Sequence, residues 1–131
     1  LLGYTTLYGD NAAALQPLGD LYKTQVRQLA AAMGVPRRII DKPPSADLWA
    51  GQTDEGEIGY TYAELDQLLY LLVDARYRVD EAVAAGFERA MVEDVWRRVR
   101  ANHYKRTMPV VAKLSERTVG HDFLYLRDWA G

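Results

Sequence analysis

A chain of 131 residues, 49% hydrophobic and 26% charged, has the length and apolar content of one ordinary globular domain, and its composition excludes collagen-like and disordered classes. The formal charge of -2 does not by itself suggest a nucleic-acid or membrane surface, and no apolar run approaches the roughly 18 to 20 residues that span a bilayer. Cysteine is absent, which removes disulfides, thiolate nucleophiles and cysteine zinc sites together; with no secretory leader pattern, the expected compartment is the cytoplasm.

The opening LLGYTTLYGD, rich in aromatic and β-branched residues and ended by Gly9-Asp10, predicts a buried strand followed by a turn. No second strand pattern accompanies it, so its pairing partners are expected in another chain or in an N-terminal part absent from this one. A first helix is predicted from about Leu21 to Met33, with Asp20 as N-cap, Gly34 just past its end and Pro36 beyond. Tyr22, Val26, Leu29 and Met33 recur at helical spacing as its buried stripe.

The connection KPPSADLWAGQTDEGEIGY, residues 42–60, is far longer than the few residues that join most helices, and connections of this size carry function or stay disordered. Thr61 and Glu64 then form an S/T-x-x-E capping box for a second helix, whose Leu65, Leu68, Leu69, Leu72 and Val73 make an apolar face suited to a core or an interface. A short helix over about Asp80 to Ala85 ends at Gly86. The last long helix runs from roughly Glu88 to His103, with Val92, Val95, Trp96 and Val99 inward and Arg97, Arg98 and Arg100 largely outward. Pro109 closes this region, and KLSERTVGHDFLYLRDW reads as an irregular tail.

Charge is unevenly placed. Seven acidic residues lie between Asp41 and Asp66 against Lys42 alone, whereas eight basic residues face four acidic ones between Gly86 and Arg117. The two regions can pair with each other or converge on a ligand bearing phosphates and a metal. His103 and His121 have no carboxylate at ligand spacing, and His103 falls on the inward side of its helix as a packed or hydrogen-bonded histidine. Ser45 and Ser115 are the only serines and neither occupies a nucleophile elbow, which argues against a serine hydrolase. Both common phosphate loops, G-x-G-x-x-G and G-x-x-x-x-G-K-[ST], are absent. Asp54, Glu55 and Glu57 are hard oxygen ligands suited to Mg²⁺, or simply a solvated acidic stretch. Lys105-Arg106 suits an anion, or equally a solvated helix end.

Five blocks, GYTTLYGD, PLGDLYKTQVRQLA, KPPSADLWAGQTDEGEIG, HYKRTMP and RTVGHDFLYLRDW, occur in this order and are spread over nearly the whole length of the chain. Together they make it resemble the C-terminal half of NAD⁺ synthetase. The resemblance implies an α/β fold of the Rossmann-like adenine nucleotide alpha hydrolase type, to which this segment contributes one strand and several helices. It implies that residues 1–131 are the C-terminal part of a single domain and that 42–60 is a mobile loop covering the substrates.

In that family, ATP adenylates the nicotinate carboxylate of deamido-NAD with release of pyrophosphate, and ammonia, free or drawn from glutamine, then displaces AMP. Adenylation supplies the leaving group a carboxylate lacks, Mg²⁺ and cationic side chains offset the phosphate charge, and no protein nucleophile is needed. Lys23 in DLYKTQ matches a family lysine that contacts ATP, and Ser45 in PPSADL a hydroxyl residue that does the same. Tyr104 and Lys105 stand at a histidine-lysine pair that contacts deamido-NAD, with only the lysine retained. Leu7 and Ala14 replace a lysine and an aspartate that touch deamido-NAD in some members. The S-G-G-x-D-S pyrophosphate loop and a Mg²⁺-binding glutamate belong to an N-terminal half outside this sequence, so this chain alone is expected to be inactive, and a homodimer is the family's common state. The rival expectation is a non-catalytic helical binding module that uses the acidic loop and the basic last helix.

Overall fold

The computed structural model describes residues 1–9, 12–107, 109, 112–114 and 116. Their regular elements are α1 (Lys23–Ala32), α2 (Arg37–Ile40), α3 (Asp54–Ile58), α4 (Tyr62–Leu69), a π-helical turn (Tyr70–Asp74), α5 (Val79–Ala84), α6 (Arg89–Ala101) and a 3₁₀ turn (His103–Arg106). Beyond Lys113, Leu114 and Glu116, the expected irregular tail, with Ser115 and His121, lies outside the described residues.

The core forms where α4 and its π-helical extension meet α5 and α6. Leu65, Leu68, Val92 and Val95 are fully buried, joined by Leu69, Leu72, Ala82 and Val99, so each of the predicted leucines of the second helix is core and that face is not free for a partner. Val73 packs against the cluster. Burying one such leucine contributes on the order of 1.5–3 kcal/mol. The capping box forms as the sequence suggests: the Glu64 N–H donates to Thr61 Oγ1 at 3.3 Å and the Thr61 N–H to Glu64 Oε2 at 3.2 Å.

Several expectations are corrected. No strand forms among the described residues, and the segment 1–9 is irregular. A strand needs a neighbouring ladder; here side chains take the carbonyls instead. Arg106 donates to Leu1 O at 2.6 Å, Asn102 to Leu2 O at 3.0 Å, and Lys105 to Gly3 O at 2.8 Å and Thr5 O at 2.9 Å. Gly3 sits at φ +74°, where a Cβ would fall 2.2 Å from Asn102 Cγ.

The first helix starts two residues later than expected, and its N-cap is Tyr22 in place of Asp20. Its C-terminus is a Schellman closure, with Gly34 at φ +77°, Gly34 N–H donating to Ala31 O and Val35 N–H to Ala30 O. The predicted stripe is not buried: Leu29 is 39% and Met33 73% exposed, because only Tyr22 at its N-terminal end packs on the core. α6 stops at Ala101, which turns His103 off the inward face and leaves it exposed. Arg98 is half-buried, not outward; its guanidinium donates to Ile58 O at 3.0 Å and lies 5.9 Å from the Tyr60 ring centroid.

Candidate functional site

The first turn of α1 is anchored on both sides. The Tyr22 N–H donates to Gln25 Oε1 at 2.8 Å, and the Thr24 N–H donates to Asp66 Oδ2 of α4 at 2.7 Å, which satisfies orphan donors at the helix start. Asp66 is only 7% exposed. This anchoring directs Lys23 toward α4, where its ammonium lies 5.7 Å from the centroid of the Tyr62 ring.

Opposite Lys23 runs the Pro43-Pro44 step with Ser45. The Ser45 Oγ accepts from the Asp47 N–H at 3.0 Å, Lys42 pairs with Asp47 at 3.2 Å, and the Asp54 N–H donates to Pro44 O at 2.9 Å. The loop is thereby closed on itself between residues 44 and 54. Gln52, 7% exposed, braces its interior by accepting from the Leu48 N–H at 2.8 Å, while Leu48 and Trp49 stand exposed at the tip.

Between α1, α2 and this step lies a cavity of about 340 Å³. Lys23 and Ser45 both line it, together with Arg27, Lys42 and Asp54, over an aliphatic surface that includes Val26, Ile40 and Pro44. Three cations and a hydroxyl above apolar walls can hold a phosphorylated ligand and cover its less polar part. A larger hollow of about 430 Å³ lies on the other side of the α1 start, but its lining, including Tyr22, Asp66, Tyr70 and Phe87, contains no lysine or arginine. It is unsuited to a polyphosphate.

The three candidate metal ligands of the 42–60 segment, Asp54, Glu55 and Glu57, do not converge. Glu55 Oε1 accepts from the Tyr62 N–H at 2.8 Å, Glu57 accepts from the Tyr4 hydroxyl at 2.7 Å and from Gln52 at 3.0 Å, and Asp54 Oδ2 accepts from the Tyr62 hydroxyl at 3.0 Å. No group of three His, Asp or Glu side chains able to hold a metal occurs among the described residues. These residues do not fit a Mg²⁺ cage. Asp54 Oδ1 is buried with no hydrogen-bond partner. Burial, with the Asp54 hydrogen bond next, pushes the Tyr62 phenol far above its ordinary range, so it remains a neutral donor.

Tyr104 and Lys105 lie apart from this cavity. Neither lines it; Tyr104 is 55% exposed, and Lys105 holds the carbonyls of Gly3 and Thr5. Leu7 and Ala14 are exposed. The residues that sequence reasoning missed are Tyr62, Gln52, Tyr4 and Asp66: Asp66 meets Thr24 across 42 positions and Tyr4 meets Gln52 across 48, whereas Tyr62 bonds locally to Asp54 and Glu55 and reaches Lys23 only through its ring.

Residues 1–109 match the family model described as NAD synthase. Over 129 residues the chain is 59% identical to the NH(3)-dependent NAD(+) synthetase of Trichlorobacter lovleyi and 54% identical to that of Chlorobaculum tepidum, covering 98% of this chain and 47% of each relative. Among solved structures, the NMN synthetase of Francisella tularensis superposes with a TM-score of 0.63 at 36% identity, over 86% of this chain and 42% of that one. The chain thus spans about half the length of the curated relatives it matches. With the family match running across residues 1–109, the chain belongs to the NAD synthase family.

Proposed function

We propose that the full-length protein carrying this chain amidates deamido-NAD to NAD⁺ with ATP and ammonia through an adenylated intermediate. The observation that carries the reading is the single cavity walled by Lys23 and Ser45, the two residues that the resemblance assigns to ATP. The dependence on NH(3) in the relatives' names favours free ammonia over glutamine as the nitrogen donor.

In this reading the chain supplies binding and positioning. Lys23 contributes a cationic contact to the ATP phosphates and Ser45 a hydroxyl donor. The exposed Leu48-Trp49 tip closes with its loop over the ligands and keeps water from the acyl-adenylate. Tyr104 and Lys105 face deamido-NAD, which requires the Lys105 ammonium to exchange at least one of its carbonyl partners for the ligand. The helical segment completes a Rossmann-like α/β domain whose remaining parts lie in the other half of the protein. Mg²⁺, which the resemblance implies, draws its ligands mainly from that half. The resemblance further implies a homodimer in the cytoplasm, and sedimentation of the full-length protein reads the dimer directly.

The test supplies full-length protein with ATP, Mg²⁺ and ammonium, and offers either deamido-NAD or the corresponding nicotinate mononucleotide. The proposal expects NAD⁺, AMP and pyrophosphate from the dinucleotide. Turnover of the mononucleotide alone would move the substrate to the type named for the Francisella tularensis structure. No product from either, in a folded protein, would overturn the amidation reading and favour a binding module.

A further inference from the structure

Lys23, Tyr62 and Asp54 come from α1, α4 and the start of α3, yet they form one continuous chain of contacts beside the cavity. The Lys23 ammonium rests over the Tyr62 ring at 5.7 Å from its centroid. The hydroxyl of the same ring donates to Asp54 Oδ2 at 3.0 Å. The Asp54 N–H in turn donates to Pro44 O at 2.9 Å, one residue before Ser45. Lys23, Ser45 and Asp54 line the same cavity.

Asp54 Oδ1 is the unusual atom. It is buried and lacks a hydrogen-bond partner, an arrangement that costs stability because the desolvated oxygen gains no bond in return. The local fold gives no reason to bear that cost. α3 is capped by Thr53, whose Oγ1 accepts from the Gly56 N–H at 3.2 Å, and Tyr62 is served by Oδ2 alone. Of the three cations at the cavity, Lys42 is paired with Asp47, while Lys23 is already joined to the carboxylate through the aromatic ring.

We propose that Asp54 is a positioning residue for Lys23, holding the ammonium against the cavity wall through Tyr62 and by its own unpaired negative charge. This rests on the reading that the cavity takes ATP. A lysine is a flexible point charge with many rotamers, so left alone it meets a phosphate only part of the time. The ring face attracts it, the more so where water is excluded. A carboxylate accepting from the phenol makes that face more negative and supplies a nearby counter-charge. Because the same residue fixes Pro44 by its backbone N–H, Asp54 keeps the Lys23 and Ser45 contacts in register across the cavity.

The test is a double-mutant cycle in the full-length protein, with ATP affinity read by calorimetry and folding checked by thermal midpoint. Asp54→Asn keeps shape and removes charge, and should weaken ATP binding about tenfold, equivalent to ~1.4 kcal/mol. Tyr62→Phe, which keeps the ring and loses the hydroxyl, should cost less than Tyr62→Leu, which loses both. In a Lys23→Ala background, Asp54→Asn should add less than about twofold, because its action runs through the lysine. Unchanged or tighter binding by Asp54→Asn, as a carboxylate that merely repels phosphate would give, overturns the proposal. So does an equal loss in both backgrounds. If Lys23→Ala itself leaves ATP affinity unchanged, the nucleotide assignment of the cavity fails, and the positioning role falls with it.

Discussion

Thr61 and Glu64 close the start of α4 between them, with reciprocal backbone bonds and a 2.7 Å hydroxyl-carboxylate contact. Thr61→Ala should destabilise the protein by about 1 kcal/mol, read as a lower denaturant midpoint at unchanged slope. The Thr61 hydroxyl and N–H hold the Glu64 carboxyl below its ordinary range. A depressed carboxyl contributes stability above its unfolded value and loses it as pH falls through the folded one. Stability should therefore drop as pH falls below about 4.3, and the acid sensitivity should be smaller in Glu64→Gln; an unchanged acid profile would contradict this. The capping box was legible because it is a four-residue rule. The place of His103 was not, since its expected burial assumed that α6 runs through it, and the helix ends at Ala101.

At the scale of elements, segment 42–60 is partly built before any ligand arrives. Asp54 N–H to Pro44 O closes it between residues 44 and 54, α3 forms inside it, and Gln52 ties it to Tyr4 at 3.3 Å. The exposed Leu48-Trp49 tip between those ties is the part expected to move. Limited proteolysis of the full-length protein should cut near residues 46–51 without ligand, with cleavage at least several-fold slower when ATP and deamido-NAD are present; equal rates would remove the lid role. The loop's length was readable from the sequence, but α3 was not. Five residues interrupted by Gly56 are too few to display a helical period. The expected strand failed for a different reason. Aromatic and β-branched composition measures readiness to pair, and among the described residues Asn102, Lys105 and Arg106 receive the carbonyls that a neighbouring strand would take.

At the scale of the whole molecule, the core belongs to α4, α5 and α6, while the candidate site lies at the edge where α1, α2 and the loop meet. The exposed Leu29 and Met33 on α1 mark where the helical period was right and the expected burial was not. Periodicity reveals which side chains share a face, not whether a neighbour covers it. Neither Lys23 nor Ser45 stood out by residue type, and no local rule joins them. Only the resemblance singled them out, and the fold then put both in the lining of one cavity. The central claim is that this cavity holds the ATP whose cleavage activates the nicotinate carboxylate. Its most direct measurement is steady-state NAD⁺ formation from deamido-NAD and ammonium by the full-length protein, comparing wild type with Lys23→Ala across ATP concentrations. The account predicts a fall in kcat/KM for ATP of roughly 100-fold or more, on the order of 2.7 kcal/mol of lost transition-state stabilisation, with the thermal midpoint preserved. An equally stable Lys23→Ala protein with unchanged kcat/KM would contradict it.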